Sequence, residues 1–155
     1  MGIITEQDLP VFIKPLNEKE LPGIVANNTS NLVEYYARGE GYKVLCSNPV
    51  KFVSEKRLFI RYGKLLDVRR YRGDPHIQCS ANVVTNVVKA YAANPDAPAG
   101  CSIDLGITSD GNTLLVEVND GYALGYYGMD PTAYALLLAA RWAELLGVED
   151  ELARI

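Results

Sequence analysis

Residues 113–121, Thr-Leu-Leu-Val-Glu-Val-Asn-Asp-Gly, constrain the fold more than any other part of the chain. They alternate as a strand does, with Leu114, Val116 and Val118 on one side and Leu115, Glu117 and Asn119 on the other. Residues 101–106, Cys-Ser-Ile-Asp-Leu-Gly, form a second expected strand that carries Asp104. The link 108–112 contains Asp110-Gly111, a tight-turn signal that would close the two strands into a hairpin. Such a hairpin brings Asp104 to the face of Glu117 and Asn119. Two carboxylates and an amide oxygen gathered there suit Mg²⁺, which takes few protein ligands and keeps positions for water and phosphate oxygens. An E-x-N pair on a strand is more often a plain solvent face. Asp104 on the partner strand, and Lys14 on an apolar strand near the N-terminus, weigh against that alternative.

At 155 residues the chain makes one domain, or two small lobes sharing a cleft, and 48% hydrophobic residues suffice for a core. The net charge of −4 argues against non-specific binding of duplex nucleic acid, but a metal and a few local cations would still hold a nucleotide. No apolar run has the length of a membrane span, and the start Met-Gly-Ile-Ile-Thr-Glu lacks a basic and apolar leader, so the expected location is cytoplasmic. Cys46, Cys79 and Cys101 are widely spaced without a C-x-x-C, which suggests neither a zinc site nor a disulfide framework. They are expected to be buried or neutral thiols. His76 follows Asp74-Pro75 in a polar loop and is expected to be exposed.

Along the chain, residues 11–15 read as a short apolar strand interrupted by Lys14. On an edge strand this lysine points to water; lining a cleft, it is a mobile charge for phosphate oxygens. Residues 16–23 are a polar loop, too poor in glycine for a Walker loop, in which Lys19 is either solvated or a second phosphate contact. Ser30 is the expected cap of a short helix over 31–38, ended by Gly39 and Gly41. Strands follow over 42–47, 50–62 and 65–71, then a helix over 80–93 with Val83, Val84, Val87, Val88 and Tyr91 on one face. Val53, Glu55, Arg57 and Phe59 share a strand face, and Arg69, Arg70 and Arg72 form a basic cluster able to clamp an anion bidentately. Residues 120–128 hold three glycines and three tyrosines, either a loop that brings backbone N–H groups to an anion or a turn with exposed aromatics. Asp130-Pro131 opens a last, core-facing helix that ends at Gly147; its Arg141 could reach the cleft beneath the loop.

Phe12-Ile-Lys-Pro15, Glu55-Lys-Arg57, Arg69-Arg70-Tyr71, Ile103-Asp-Leu-Gly106 and Val116-Glu-Val-Asn-Asp120 occur in an order that resembles the ATP-grasp superfamily over residues 11–146, and within it the small clade with an E-V-N-D, glycine- and tyrosine-rich ending. The resemblance implies an α+β fold: two lobes of mainly antiparallel sheet with packed helices and a nucleotide cleft between them. It puts the N-terminal lobe with its hinge strands at about 11–72 and the C-terminal lobe with the metal site at about 73–155. It implies ATP and Mg²⁺ as cofactors, with Asp104, Glu117 and Asn119 as the metal set. Lys14 matches the lysine on the phosphates. Leu45, Cys46 and Ser47 match the hinge whose backbone pairs with adenine, and Glu55 lies near the nucleotide. Arg57, Arg69 and Arg70 match positions that hold phosphates or the acceptor carboxylate. The family's usual preceding α/β domain and earlier lysine have no counterpart among residues 1–13, and they are expected departures from its pattern.

The expected activity is that of an ATP- and Mg²⁺-dependent ligase that activates a small-molecule or peptide carboxylate as an acylphosphate for attack by an amine. The physics suits such a site, since phosphoryl transfer needs positioning and charge neutralisation rather than a protein nucleophile. The alternatives are a non-catalytic nucleotide-binding subunit, with a partner protein supplying the missing domain, and a structural interaction module that uses the tyrosine loop.

Overall fold

The computed structural model describes residues 4–16, 21–37 and 43–155. Lys19 lies outside the described residues, as do Arg38, Gly39, Gly41 and Tyr42. The chain divides into two compact units, Met1–Lys51 and Phe52–Ile155.

In the first unit β1 (Val11–Pro15) is the central strand of three, antiparallel to β2 (Ile24–Ala26) and to β3 (Val44–Ser47). Val11 and Ile13 point inward and join Ala26 and Leu32 in a small core. The period of two puts Phe12 and Lys14 on the other face, both half-buried. The expected cap at Ser30 is displaced. Asn28 is the cap, its side chain accepting from the Asn31 amide at 3.3 Å, while Asn31 Oδ1 accepts from the amides of Asn27 and Asn28 at 2.9 and 3.2 Å. Two asparagines three apart satisfy each other's backbone groups, and this leaves Ser30 inside the 3₁₀ turn Thr29–Leu32 that leads into α1 (Val33–Ala37).

In the second unit a four-stranded sheet is antiparallel throughout, in the order β5 (Lys64–Gly73), β4 (Phe52–Arg61), β6 (Gly100–Thr108), β7 (Thr113–Asp120). The β4–β5 hairpin, which the sequence groups with the N-terminal lobe, hydrogen-bonds to β6, so the units divide after Lys51 rather than near residue 72. Leu58 and Ile60 on β4, with Cys101, Ile103 and Leu105 on β6, face α2 (Ala81–Ala92) and pack against its Val84, Val87, Val88 and Tyr91. Phe59 faces the other way, onto Leu137 of α3 (Pro131–Leu146) and onto Leu124 and Met129. The α3 N-terminus is set as its sequence indicates, with Asp130 accepting from the Ala133 amide at 2.9 Å and Pro131 in the first turn. Past α3, Asp150 accepts from Arg61 Nη2 at 3.1 Å and from the Tyr62 hydroxyl at 2.8 Å, fastening the tail to the β4 end. No helix among the described residues is long and apolar enough to cross a membrane.

Candidate functional site

The polar part of the β4–β6–β7 face begins where α3 stops covering it. On β4 and β6, Glu55 pairs with Gly106, Arg57 with Asp104 and Phe59 with Ser102; on β6 and β7, Asp104 pairs with Glu117 and Ser102 with Asn119. Cross-strand partners share a face, so Arg57, Asp104, Glu117 and Asn119 form one cluster. The hairpin expected from Asp110-Gly111 is present, with Gly111 at φ +85° and its amide donating to the Thr108 carbonyl at 3.0 Å.

The cluster is tightly bonded. Arg57 donates to Asp104 through both Nε (2.8 Å to Oδ1) and Nη2 (2.6 Å to Oδ2), a bidentate pair in which Arg57 is 5% and Asp104 1% exposed. Burial works against the Arg57 charge, but Asp104, with Tyr127 and Tyr71, outweighs it and raises the guanidinium above its ordinary value. Asn119 Nδ2 donates to Asp104 Oδ2 at 3.2 Å and to Glu117 Oε1 at 3.0 Å. Ser102 lies beside Asn119 with its buried Oγ lacking a hydrogen-bond partner among the described residues.

Two carboxylates and an amide are donor types that a magnesium ion takes. The Asn119 amide protons sit on two carboxylates, as a cation shared by both would, and a half-turn of the amide presents Oδ1 in their place. Among the described residues no group of three or more His, Cys, Asp and Glu side chains is arranged for a metal. Two carboxylates and one amide make a sparse set, which suits Mg²⁺ with its retained waters and phosphate ligands better than an all-protein calcium cage.

Bulges decide which other residues join this face. On β5, Tyr71 is an extra residue between Arg70, opposite Lys56, and Arg72, opposite Glu55. The bulge therefore returns Arg72 to the site face, where it pairs with Glu55. Arg69, opposite Arg57, is on this face too, with Nε donating to Asp67 at 2.7 Å. Arg70 is not. It lies opposite Lys56 on the other face, and its Nη1 donates to the Gly73 carbonyl at 3.2 Å. On β7, Val116 is extra, because Asp104 pairs with Glu117 but Leu105 pairs with Leu115. The unbroken alternation expected over 114–119 is thus corrected. Glu117 and Asn119 share a face, while Leu115 sits opposite Leu105 on the α2 side. Gly106 leaves room on β6 for the Phe52 ring, which a Cβ there would overlap.

Arg141 meets the first residue of the 120–128 loop, Asp120. Its Nε and Nη2 bind Asp120 at 2.7 and 2.6 Å and its Nη1 binds Glu144 at 2.7 Å, which ties α3 to the end of β7. In the first unit Lys14 pairs with Leu45, and Leu45, Cys46 and Ser47 are exposed along β3. Two residues absent from the sequence-based set stand against Arg57. The rings of Tyr71 and Tyr127 lie 4.6 and 5.1 Å from its guanidinium carbon and 5.1 Å from each other. The signal for Tyr71 was the tyrosine that interrupts Arg69-Arg70-Tyr71-Arg72; for Tyr127 it was a bulky residue placed directly before Gly128.

These sheets and helices have the ATP-grasp fold. They resemble the ATP-grasp ligase PsnB complexed with a phosphomimetic variant of its minimal precursor, Mg and ADP, at a TM-score of 0.51 and 16% identity, over 73% of this chain and 37% of that one. They also resemble N5-carboxyaminoimidazole synthetase from Staphylococcus aureus, at a TM-score of 0.57 and 12% identity, over 90% of this chain and 41% of that one. The chain thus spans well under half the length of either neighbour. No curated protein matches it in sequence. The chain belongs to an ATP-grasp domain family, the second family of its clade, whose profile matches residues 1–137.

Proposed function

We propose that the chain is the nucleotide- and metal-binding part of an ATP-dependent ligase that activates a carboxylate for attack by an amine. The observation that carries this reading is the convergence of Asp104, Glu117 and Asn119 on one sheet face of an ATP-grasp domain. These three residues would hold Mg²⁺, which when bound neutralises charge on the phosphate oxygens. A carboxylate oxygen attacks the γ-phosphorus, the bond to the β-phosphate oxygen breaks, and ADP leaves. The amine then attacks the acyl carbon of the acylphosphate, phosphate departs, and the nitrogen gives up a proton. Lys14 supplies charge to the phosphates, backbone groups of Leu45, Cys46 and Ser47 meet the adenine edge, and Glu55 lies near the nucleotide. Arg69 remains a candidate anion contact, while Arg57 acts through Asp104. No cysteine is needed as a nucleophile; burial pushes the Cys101 thiol up to about 11, away from the reactive thiolate.

A second reading is a nucleotide-binding subunit whose acceptor site comes from a partner protein; the chain spans 37% and 41% of the two neighbours, so an acceptor site can lie in residues outside it. Thermal unfolding with and without millimolar MgATP tests both. A ligand at about 100 times its dissociation constant adds about 2.7 kcal/mol of stability. The wild-type midpoint should rise, and Glu117→Ala should lose most of the rise. Binding accompanied by ligation across a panel of carboxylates and amines supports the enzyme; binding without turnover supports the subunit. No rise with MgATP sinks both.

A further inference from the structure

Tyr127 occupies a backbone position that a tyrosine should avoid. Residues 126–129 close a turn in which the Met129 amide donates to the Tyr126 carbonyl at 2.9 Å, with Tyr127 at φ +48° and Gly128 at φ +79°. Both central residues are in the left-handed region, where Gly and Asn are at home and a bulky side chain is strained. A strained residue persists when its side chain makes a contact worth keeping. Here that contact is Arg57. The centres of the Tyr71 ring, the Tyr127 ring and the guanidinium form a nearly equilateral triangle with sides of 4.6, 5.1 and 5.1 Å. The rings therefore make a corner against the cation rather than a sandwich. The β5 bulge supplies one wall and the loop turn supplies the other.

The geometry points to Tyr71 and Tyr127 as positioning residues for the metal cluster, acting through Arg57. The guanidinium is planar, so a corner that sets its plane also sets the direction of its in-plane donors. Those donors hold both oxygens of Asp104, and Asp104 Oδ2 in turn faces Asn119. The loop tip is thereby coupled to the carboxylate that would meet the cation. Coupling is reciprocal, so cation binding should order the loop as much as the loop favours the cation.

This inference rests on the metal reading above and is tested in the full chain with Mn²⁺ as probe. Affinity in the presence of saturating ADP is read from the electron paramagnetic resonance of free Mn²⁺. Tyr127→Asn suits the left-handed backbone and removes the ring together with its hydroxyl, which is hydrogen-bonded to Tyr71; it should weaken Mn²⁺ about tenfold or more, the scale of lost support behind a metal ligand. Tyr127→Phe keeps the ring and should bind within about twofold of wild type. Mn²⁺ should slow amide hydrogen exchange over residues 122–128 in wild type and in Tyr127→Phe, but not in Tyr127→Asn. Wild-type affinity in Tyr127→Asn, or equal losses in the Asn and Phe variants, overturns the positioning role while leaving the metal site standing. No Mn²⁺ uptake by wild type overturns both.

Discussion

The Arg57–Asp104 pair permits a quantitative test. Its two charge-assisted hydrogen bonds, at 2.8 and 2.6 Å, are worth about 1.5–3 kcal/mol each, about 3–6 kcal/mol together. Breaking a buried pair by removing one partner costs a similar amount, about 3–5 kcal/mol, because the survivor is left charged without water. The perturbation is a double-mutant cycle of Arg57→Met, Asp104→Leu and the combined change. Urea unfolding at neutral pH without divalent cations gives each free energy. Either single change should lose about 3–5 kcal/mol, and the double should lose far less than the sum, giving a coupling of about 3 kcal/mol or more. A coupling below about 1 kcal/mol, the value of a solvent-exposed pair, would refute the claim that the two charges are held out of water for each other.

Other expectations are simpler to check. Gly106→Ala forces a Cβ against the Phe52 ring and should cost about 1–3 kcal/mol in urea unfolding. Burial raises Cys101 from an ordinary value of 9.0 to about 11 and also raises Tyr91, which is hydrogen-bonded to it. The folded state then holds protons that the unfolded state releases, so stability is intact below about pH 9 and falls as pH rises toward 11. The Cys101 share is about 2–3 kcal/mol at the conversion of 1.36 kcal/mol per unit, and Cys101→Ala should flatten the slope between those pH values. Thiol titration of the native protein should find Cys46, which is exposed, reacting fast, and Cys101 reacting only on unfolding.

The members of the carboxylate and amide cluster were legible in the sequence, because Asp104, Glu117 and Asn119 sit on neighbouring strands joined by an Asp-Gly turn and a period of two puts Glu117 and Asn119 on one face. What brings that face onto Asp104 was not legible: counted unbroken from the turn, Asp104 would lie opposite Val116, and the extra residue there moves Glu117 into its place. The arginines were not legible in the same way. Assigning Arg69, Arg70 and Arg72 to faces requires knowing that Tyr71 is an extra residue, and a bulge is a property of strand pairing rather than of one strand. The same holds for Leu115 and Val116 on β7. Arg57 was matched to a phosphate or acceptor-carboxylate position, and nothing near it in sequence announces Asp104, 47 residues away. The cap at Asn28 was overlooked because its partner Asn31 lay inside the expected helix. The unit boundary followed the order of the strands in the chain, whereas the fold follows their hydrogen bonding, which joins β4 to β6.

The extra residue at Val116 works as an expansion joint in β7. On one side of it, residues 117–120 keep step with 101–104; on the other, residues 113–115 keep step with 105–107 in a shifted phase. The turn end of the hairpin and the end bearing Glu117 and Asn119 are therefore indexed separately. Without the extra residue the phase of the turn end would carry through, and Val116 rather than Glu117 would stand opposite Asp104.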